Sequence, residues 1–486
     1  MRRISDNLTN RISKIPMVMV VAPFALGIFF ADRVELPVWL VVAVCVALFG
    51  GVFLLKEWWR RVAILNLLFA VGVLTHTLSY RDVVAYHKPT EMLLEVETTS
   101  VDRGAYTSAE ASIESSADHS LQGHRVVVWG DSLVKFGAGD RLHLTTPIRP
   151  FRAERERYAR LMYHRGFVGS VSVNYSTPFE YIPATRASLH DRVVARLRSA
   201  MDEGDARAVV LAMATGERGE ISNDLRQSYS ASGASHLLAV SGLHIGIAFM
   251  LINILLLPLV LLRYGNVWRS VVAVALIWLY VWICGASPSA VRAAIMFSLL
   301  QLSLSSLYEY VGINILAGTA FVMLALSSNL LFDISFQLSF VAVAAILLWA
   351  VPLYRLCATR FKVVNSLIGV LLVSVASTLA TMPLVANTFS TVSLVGILIN
   401  PVVILLANVV VLAGVTAIAL PFMGVVAEVA ALLQNGVVEW AAALRYGHFD
   451  VVMPEWAMWM SYILFVAATL FVWLMPKREK KVEIEG

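Results

Sequence analysis

Ser241 and His244, one helical turn apart in the run SGLH, are the first residues that could do chemistry. A serine hydrolase needs that pair with an orienting carboxylate and an oxyanion hole. No acid lies near them in the sequence, so the plainer reading is a hydrogen-bonded pair between membrane helices. His236 and His244 are eight residues apart and fall on nearly one helix face, as two metal ligands could. A metal needs more ligands, and no partners present themselves, so neither a metal nor any other cofactor is expected. Cys45, Cys284 and Cys357 are too few for a disulfide framework or a Cys-rich site. No Walker A loop, HExxH or CxxC occurs.

Polar residues inside apolar runs are more telling. Arg292 follows GASPSAV and leads into AAIMFSLL. A central arginine costs about 2.5–3.5 kcal/mol on insertion scales. Gly285 and Pro288 ahead of it point to a broken helix, tolerated where backbone lines a wet cavity. The alternative is an interfacial arginine that snorkels to headgroups. Gln337 in ISFQLSF, Asn387 near Pro383 and Asn400 before Pro401 share this character. Each alone reads as a helix–helix contact. With His236, Ser241, His244 and Arg292 they make up the candidate channel lining, a polar interior that suits permeation.

A third group is basic. Arg149, Arg152, Arg155, Arg157, Arg160 and Arg165 are interleaved with Tyr158, Tyr163 and Phe167, and only Glu154 and Glu156 oppose them. Arginines neutralise phosphates and aromatics stack on bases, which suits single-stranded nucleic acid. A solvated helix with internal ion pairs, or a contact with anionic lipid, are the alternatives.

The elements that must carry these residues follow from composition. Of 486 residues 58% are hydrophobic and 15% charged, and mean hydropathy is +0.74. One soluble core cannot hide that much apolar surface. A polytopic α-helical membrane protein is expected. Three spans fall near 16–31, 38–55 and 62–79, within an N-terminal unit 1–84. About nine more begin near His236, near 236–262, 270–284, 291–307, 312–328, 335–353, 363–388, 393–419, 424–444 and 457–475, within a unit 231–476 followed by a basic tail 477–486. That makes about twelve segments, some of them broken or re-entrant. Between the groups, 85–185 alternates at period two, as in Leu94–Val96, HRVVVWG, RLHL and FVGSVSV. About five short strands suit a small barrel of OB-fold size, and periodicity alone does not separate it from a sandwich. In 186–230, Leu189, Val193, Val194 and Leu197 share one face of a helix away from most of its arginines. Such a helix lies in the membrane interface or packs on its own domain. The charge cluster Glu217, Arg218, Glu220, Asp224 and Arg226 has mixed sign and no evident role. Basic residues at the N-terminus, in KEWWRR and in PKREKK place both termini in the cytoplasm and the polar block outside.

HLLAVSGLHIGIAF at 236–249 closely resembles the hallmark of the ComEC family of competence proteins. GASPSAVRAAIM, NLLFDISFQLSFVAVAAI and MPLVANTFSTVSLVGILINPVV fit the same family, and GAGDRL with YARLMYHRGFVGSVSV resembles the end of its N-terminal OB-fold domain. The resemblance implies a channel that conducts single-stranded DNA through the bacterial cytoplasmic membrane during transformation. Arg149, Arg152, Arg155, Arg157, Tyr158, Arg160, Tyr163 and Arg165 would then meet DNA outside. It also implies membrane lipid, an extracytoplasmic DNA receptor, a cytoplasmic motor and a separate nuclease as partners. Many relatives continue into a metallo-β-lactamase-like domain whose His- and Asp-rich motif this sequence lacks, so no enzymatic activity is expected. The rival readings are an intramembrane hydrolase or transferase using Ser241 and His244, and a secondary transporter of a small anionic solute.

Overall fold

The computed structural model of the chain describes residues 15–79, 89–102, 106–131, 136–151, 159, 162–173, 179–183, 188–304, 312–389, 391–393, 395–444 and 448–474. Among the described residues, the N-terminal helices are α1 (Pro16–Ala31), α2 (Val38–Leu54) and α3 (Glu57–Ser79). α1 and α3 touch backbone to backbone, because a Cβ at Gly27 or Gly72 would collide with the carbonyl of Phe69 or Phe24. Small residues at such a crossing are the usual means of close packing where no water drives helices together.

Among the described residues the sheet domain holds seven strands: β1 (Thr90–Val96), β2 (Val101–Asp102), β3 (Tyr106–Ser116), β4 (Arg125–Asp131), β5 (Arg141–Thr146), β6 (Phe167–Val173) and β7 (Phe179–Ile182). Their order is β6-β4-β3-β1-β5-β7, with β2 paired to β3. The sheet is open: β6 and β7 are its ends, and the closed barrel expected from the sequence is not what the pairing gives. The weak pattern at Ala109–Ile113 belongs to the longest strand, of 11 residues. Met92, Leu94, Val96, Ala111, Val128, Leu142, Leu144 and Val171 meet in one core. The period-two alternation therefore did select a single buried face.

Next come α4 (Leu189–Arg198), α5 (Asp205–Thr215) and α6 (Asn223–Ala231). Val193, Val194 and Leu197 of α4 are buried with α5, α6 and residues 395–441, and Arg196 Nε donates to Ile418 O at 2.6 Å. So α4 covers the helical bundle. Its apolar face packs on the helices after the sheet domain.

The bundle continues with α7 (Gly242–Leu255), α8 (Gly265–Ile283), α9 (Pro288–Leu304), α10 (Gly312–Leu326), α11 (Ile334–Ala345), α12 (Val351–Cys357), α13 (Lys362–Phe389), the short β8 (Thr391–Ser393), α14 (Val395–Ala417), α15 (Met423–Ala442), β9 (His448–Asp450) and α16 (Glu455–Leu474). A π-helical turn at Ile346–Ala350 joins α11 to α12 just before Pro352, where the missing proline N–H interrupts the regular ladder. Among the described residues, six helices are long and apolar enough to cross a membrane: Glu57–Ser79, Gly265–Ile283, Ile334–Cys357, Lys362–Phe389, Val395–Ala417 and Met423–Ala442. Other apolar helices are shorter, 10–17 residues by the same measure. One reason is breakage. The expected span 236–262 is a 3-10 turn, an extended stretch at Ala239, then α7. Trp39, Phe53, Leu54, Trp440 and Trp456 are all more than half exposed, an apolar exterior suited to lipid. The chain is a helical membrane protein carrying a small sheet domain.

Candidate functional site

The segment before α7 is held from two sides. Gly233, with φ +80°, turns the chain at the end of α6, and Ser289 Oγ on α9 donates to Val240 O at 2.6 Å. The Ser241 backbone N–H then donates to His244 Nδ1 at 3.2 Å. An Nδ1 that accepts leaves the imidazole proton on Nε2. His244 is fully buried, and its Nε2 and the Ser241 Oγ have no hydrogen-bond partner. The expected helix–helix bond through these two atoms is therefore not made. No carboxylate orients His244 among the described residues, and no group of three His, Cys, Asp or Glu there could hold a metal. His236, on the turn Ser235–Leu238, is exposed.

Arg292 lies on α9 and is 3% exposed, with Nε and Nη1 unpartnered. It neither snorkels nor faces an open passage in this conformation. Asp333 is the acid that acts on it, but that carboxylate caps α11 by accepting from Phe336 N at 2.9 Å. Asn400 is 8% exposed and its Oδ1 is unpartnered. Gln337 Nε2 donates to Leu331 O at 2.8 Å, and Asn387 Nδ2 donates to Met453 O at 2.7 Å. Those two amides tie down backbone. Ser241, His244, Arg292 and Asn400 instead leave polar atoms unmet inside an apolar bundle, where such atoms are costly.

Three groups of residues escaped sequence reasoning. Tyr229 Oη donates to Asn435 Oδ1 at 2.8 Å and accepts from Gln434 Nε2 at 3.0 Å, knotting α6 to α15. Its only sequence signal was the pair QN in an apolar run. At the second, Asp32 after α1 faces His164 of the sheet domain at 3.5 Å and His76 of α3 at 3.9 Å. The His164 ring stacks on Phe332 with centroids 4.5 Å apart. At the third, Glu217 meets the sheet domain and α4. Its Oε2 accepts from Thr99 Oγ1 at 3.3 Å and faces His190 Nε2 at 3.7 Å, while Oε1 accepts from Gly219 N at 2.8 Å. His190 Nδ1 donates to Ile283 O at 2.6 Å. The Glu217 carboxylate facing it raises the histidine pKa against the opposing effect of burial. Burial pushes the Glu217 carboxyl up, but the bonds from His190, Gly219 and Thr99 outweigh it and leave it below its ordinary value.

These contacts also sort the mixed charges of 217–226. Glu220 accepts from Arg198 at 2.6 Å and from Arg207 at 3.0 Å. Arg218 stays exposed and lies near Arg226.

The sheet domain uses its basic residues less freely than their spacing suggested. Arg165 donates to Glu110 at 2.8 Å, and Arg125 pairs with Glu97 at 2.6 Å and Glu110 at 2.9 Å. Both guanidiniums lie over the Phe167 ring, at 5.4 and 4.5 Å. Tyr163 packs on Phe151 at 5.4 Å. The opposing acids come from β3 and the end of β1, far away in sequence. Arg149 is exposed and pairs through its backbone with Ser170. Arg152, Arg155, Arg157, Tyr158 and Arg160 lie outside the described residues.

Residues 213–476 match the family described as Competence protein. The chain is 26% identical to ComE operon protein 3 of Bacillus subtilis over 40% of its own length and 24% of that protein. It is 27% identical to an uncharacterized protein of Aquifex aeolicus, over 50% of this chain and 54% of the other. It is 25% identical to the uncharacterized protein YcaI of Escherichia coli over 33% of this chain and 22% of that one. The chain thus matches between about a quarter and about half the length of these relatives. No solved structure matches it.

Proposed function

Starting from a chain that belongs to the Competence protein family, we propose that it passes one strand of DNA through the bacterial cytoplasmic membrane. In this reading the chain makes about twelve crossings, both termini are cytoplasmic, and the sheet domain receives DNA outside as an OB-like module. The observation that carries it is the set Ser241, His244, Arg292 and Asn400, whose buried polar atoms have no partner within the chain. Three of the four present donors. A phosphodiester backbone is a chain of acceptors, and its charge needs such groups to leave water. The set sits in the stretch that matches the family.

Conduction without catalysis is favoured because His244 Nδ1 is occupied by the Ser241 N–H. That bond leaves no basic nitrogen facing the hydroxyl, as nucleophilic catalysis requires. The partners follow from the role: a DNA receptor outside, a motor in the cytoplasm, a separate nuclease, and lipid around the helices.

The test is to delete the gene in a transformable host. DNA bound outside is then scored separately from single strands reaching the cytosol. Loss of cytosolic strand with external DNA retained is expected. Equal loss of both would remove the conducting role.

A further inference from the structure

His190 occupies a position where a hydrogen bond fixes one ring nitrogen and a carboxylate faces the other. A backbone carbonyl only accepts, so the 2.6 Å contact with Ile283 O requires a proton on Nδ1. The other ring nitrogen faces the Glu217 carboxylate at 3.7 Å, an ion-pair distance. With Nδ1–H already committed to the carbonyl, a second proton on Nε2 makes the ring a cation opposite that carboxylate.

This cation lies on a seam. Glu217 accepts from Thr99, three residues past the first sheet-domain strand, and a Cβ added at Gly219 would lie 3.5 Å from the Thr99 methyl. Ile283 is the last residue of α8. Behind it the chain turns through Gly285 at φ +73° and Ala286 at φ +47° before α9. Ala286 holds a left-handed conformation that a Cβ disfavours. The imidazole thus joins α4 to the end of α8 and, through Glu217, to the sheet domain.

We propose that His190 is a proton-operated latch: as an imidazolium it clamps the sheet domain to the helical bundle through Glu217, and loss of its proton opens that seam. The surrounding groups support a single titration. Asp191, on the same helix, adds attraction to the cation. Glu97, just before Thr98 and Thr99, is already paired with Arg125. Tyr280 and Cys284, at the end of α8, both donate to Ala214 O. Arg218 is exposed and faces Arg226. His190 holds its proton above the ordinary value of 6.5. The clamp is therefore complete below that value and is lost as pH rises through the raised one. Acid on the sheet-domain side closes the seam and alkali loosens it.

The latch concerns docking of two parts of one chain, so its test needs no DNA and stands apart from the conducting role. Hydrogen exchange would be followed on the full chain in detergent from about pH 5.5 to about pH 9, corrected for intrinsic rates, a range that spans histidine titration. Protection at 97–100 and 216–219 should fall about fivefold on alkalisation, the worth of one net hydrogen bond. Amides of α14 and α15 should not change. In His190→Gln, which can still donate to Ile283 O but cannot become a cation, the same amides should show no pH step. A flat profile in the unaltered chain, which needs no variant to fold, would overturn the latch. So would an unchanged step in His190→Gln.

Discussion

Replacing Arg292 by Met separates stability from function. The guanidinium is 3% exposed, two of its nitrogens have no partner, and Asp333 is already committed to the Phe336 N–H. Met fills a similar linear volume without a charge. Insertion scales put a central arginine at about 2.5–3.5 kcal/mol, and part of that is recovered here by attraction to Asp333. The variant should therefore unfold with about 1–3 kcal/mol more stability, in keeping with hydrophobic replacement of buried charge. The same change removes the strongest cation from the proposed path, so arrival of single strands in the cytosol should fall while external DNA binding stays. The assays are thermal unfolding in detergent and strand-resolved uptake in cells carrying the variant. A destabilised Arg292→Met protein would mean the charge is satisfied within the fold. A stabilised protein with normal uptake would mean the unmet donors have nothing to do with passage.

Other expectations follow from single contacts. Tyr229→Phe deletes one hydroxyl, strands Asn435 Oδ1 and leaves Gln434 Nε2 only its contact with Met213 Sδ; it should cost about 1–3 kcal/mol by thermal or urea unfolding, from one unmet buried acceptor and one weakened donor. Ala286→Gly relieves a left-handed alanine and should raise stability by about 1 kcal/mol, read as a higher Tm. Arg149→Ala should lower the salt slope of single-strand binding by about 0.7, the loss of one phosphate contact. Arg165→Ala should leave that slope unchanged and instead destabilise the sheet domain, since its charge is spent on Glu110.

The bundle was legible because hydropathy is a local property. Runs such as 363–388 and 424–444 appear as helices Lys362–Phe389 and Met423–Ala442 with ends nearly where the apolar runs end. The strands of the sheet domain were legible for the same reason: alternation in RLHL and FVGSVSV marks which side chains face inward. β7 was missed because FEYI is half exposed and exposed along its length and carries no such alternation. The expected barrel rested on strand number alone, and closure depends on whether the first and last strands meet.

Residue type and spacing by themselves determined that this chain enters a membrane, that it carries a small β domain, and that Ser241, His244, Arg292 and Asn400 are misplaced polar groups worth attention. Tertiary structure alone decided which of those groups are satisfied. It spent Arg165 on Glu110, gave Gln337 and Asn387 backbone partners, folded α4 onto the bundle, and joined Thr99, His190, Glu217 and Ile283 into one seam. The reason is physical. Hydrophobic burial acts on each residue according to its own surface, so it is written locally. A hydrogen bond or ion pair requires two groups within a few ångströms, and only the folded chain brings such distant partners together.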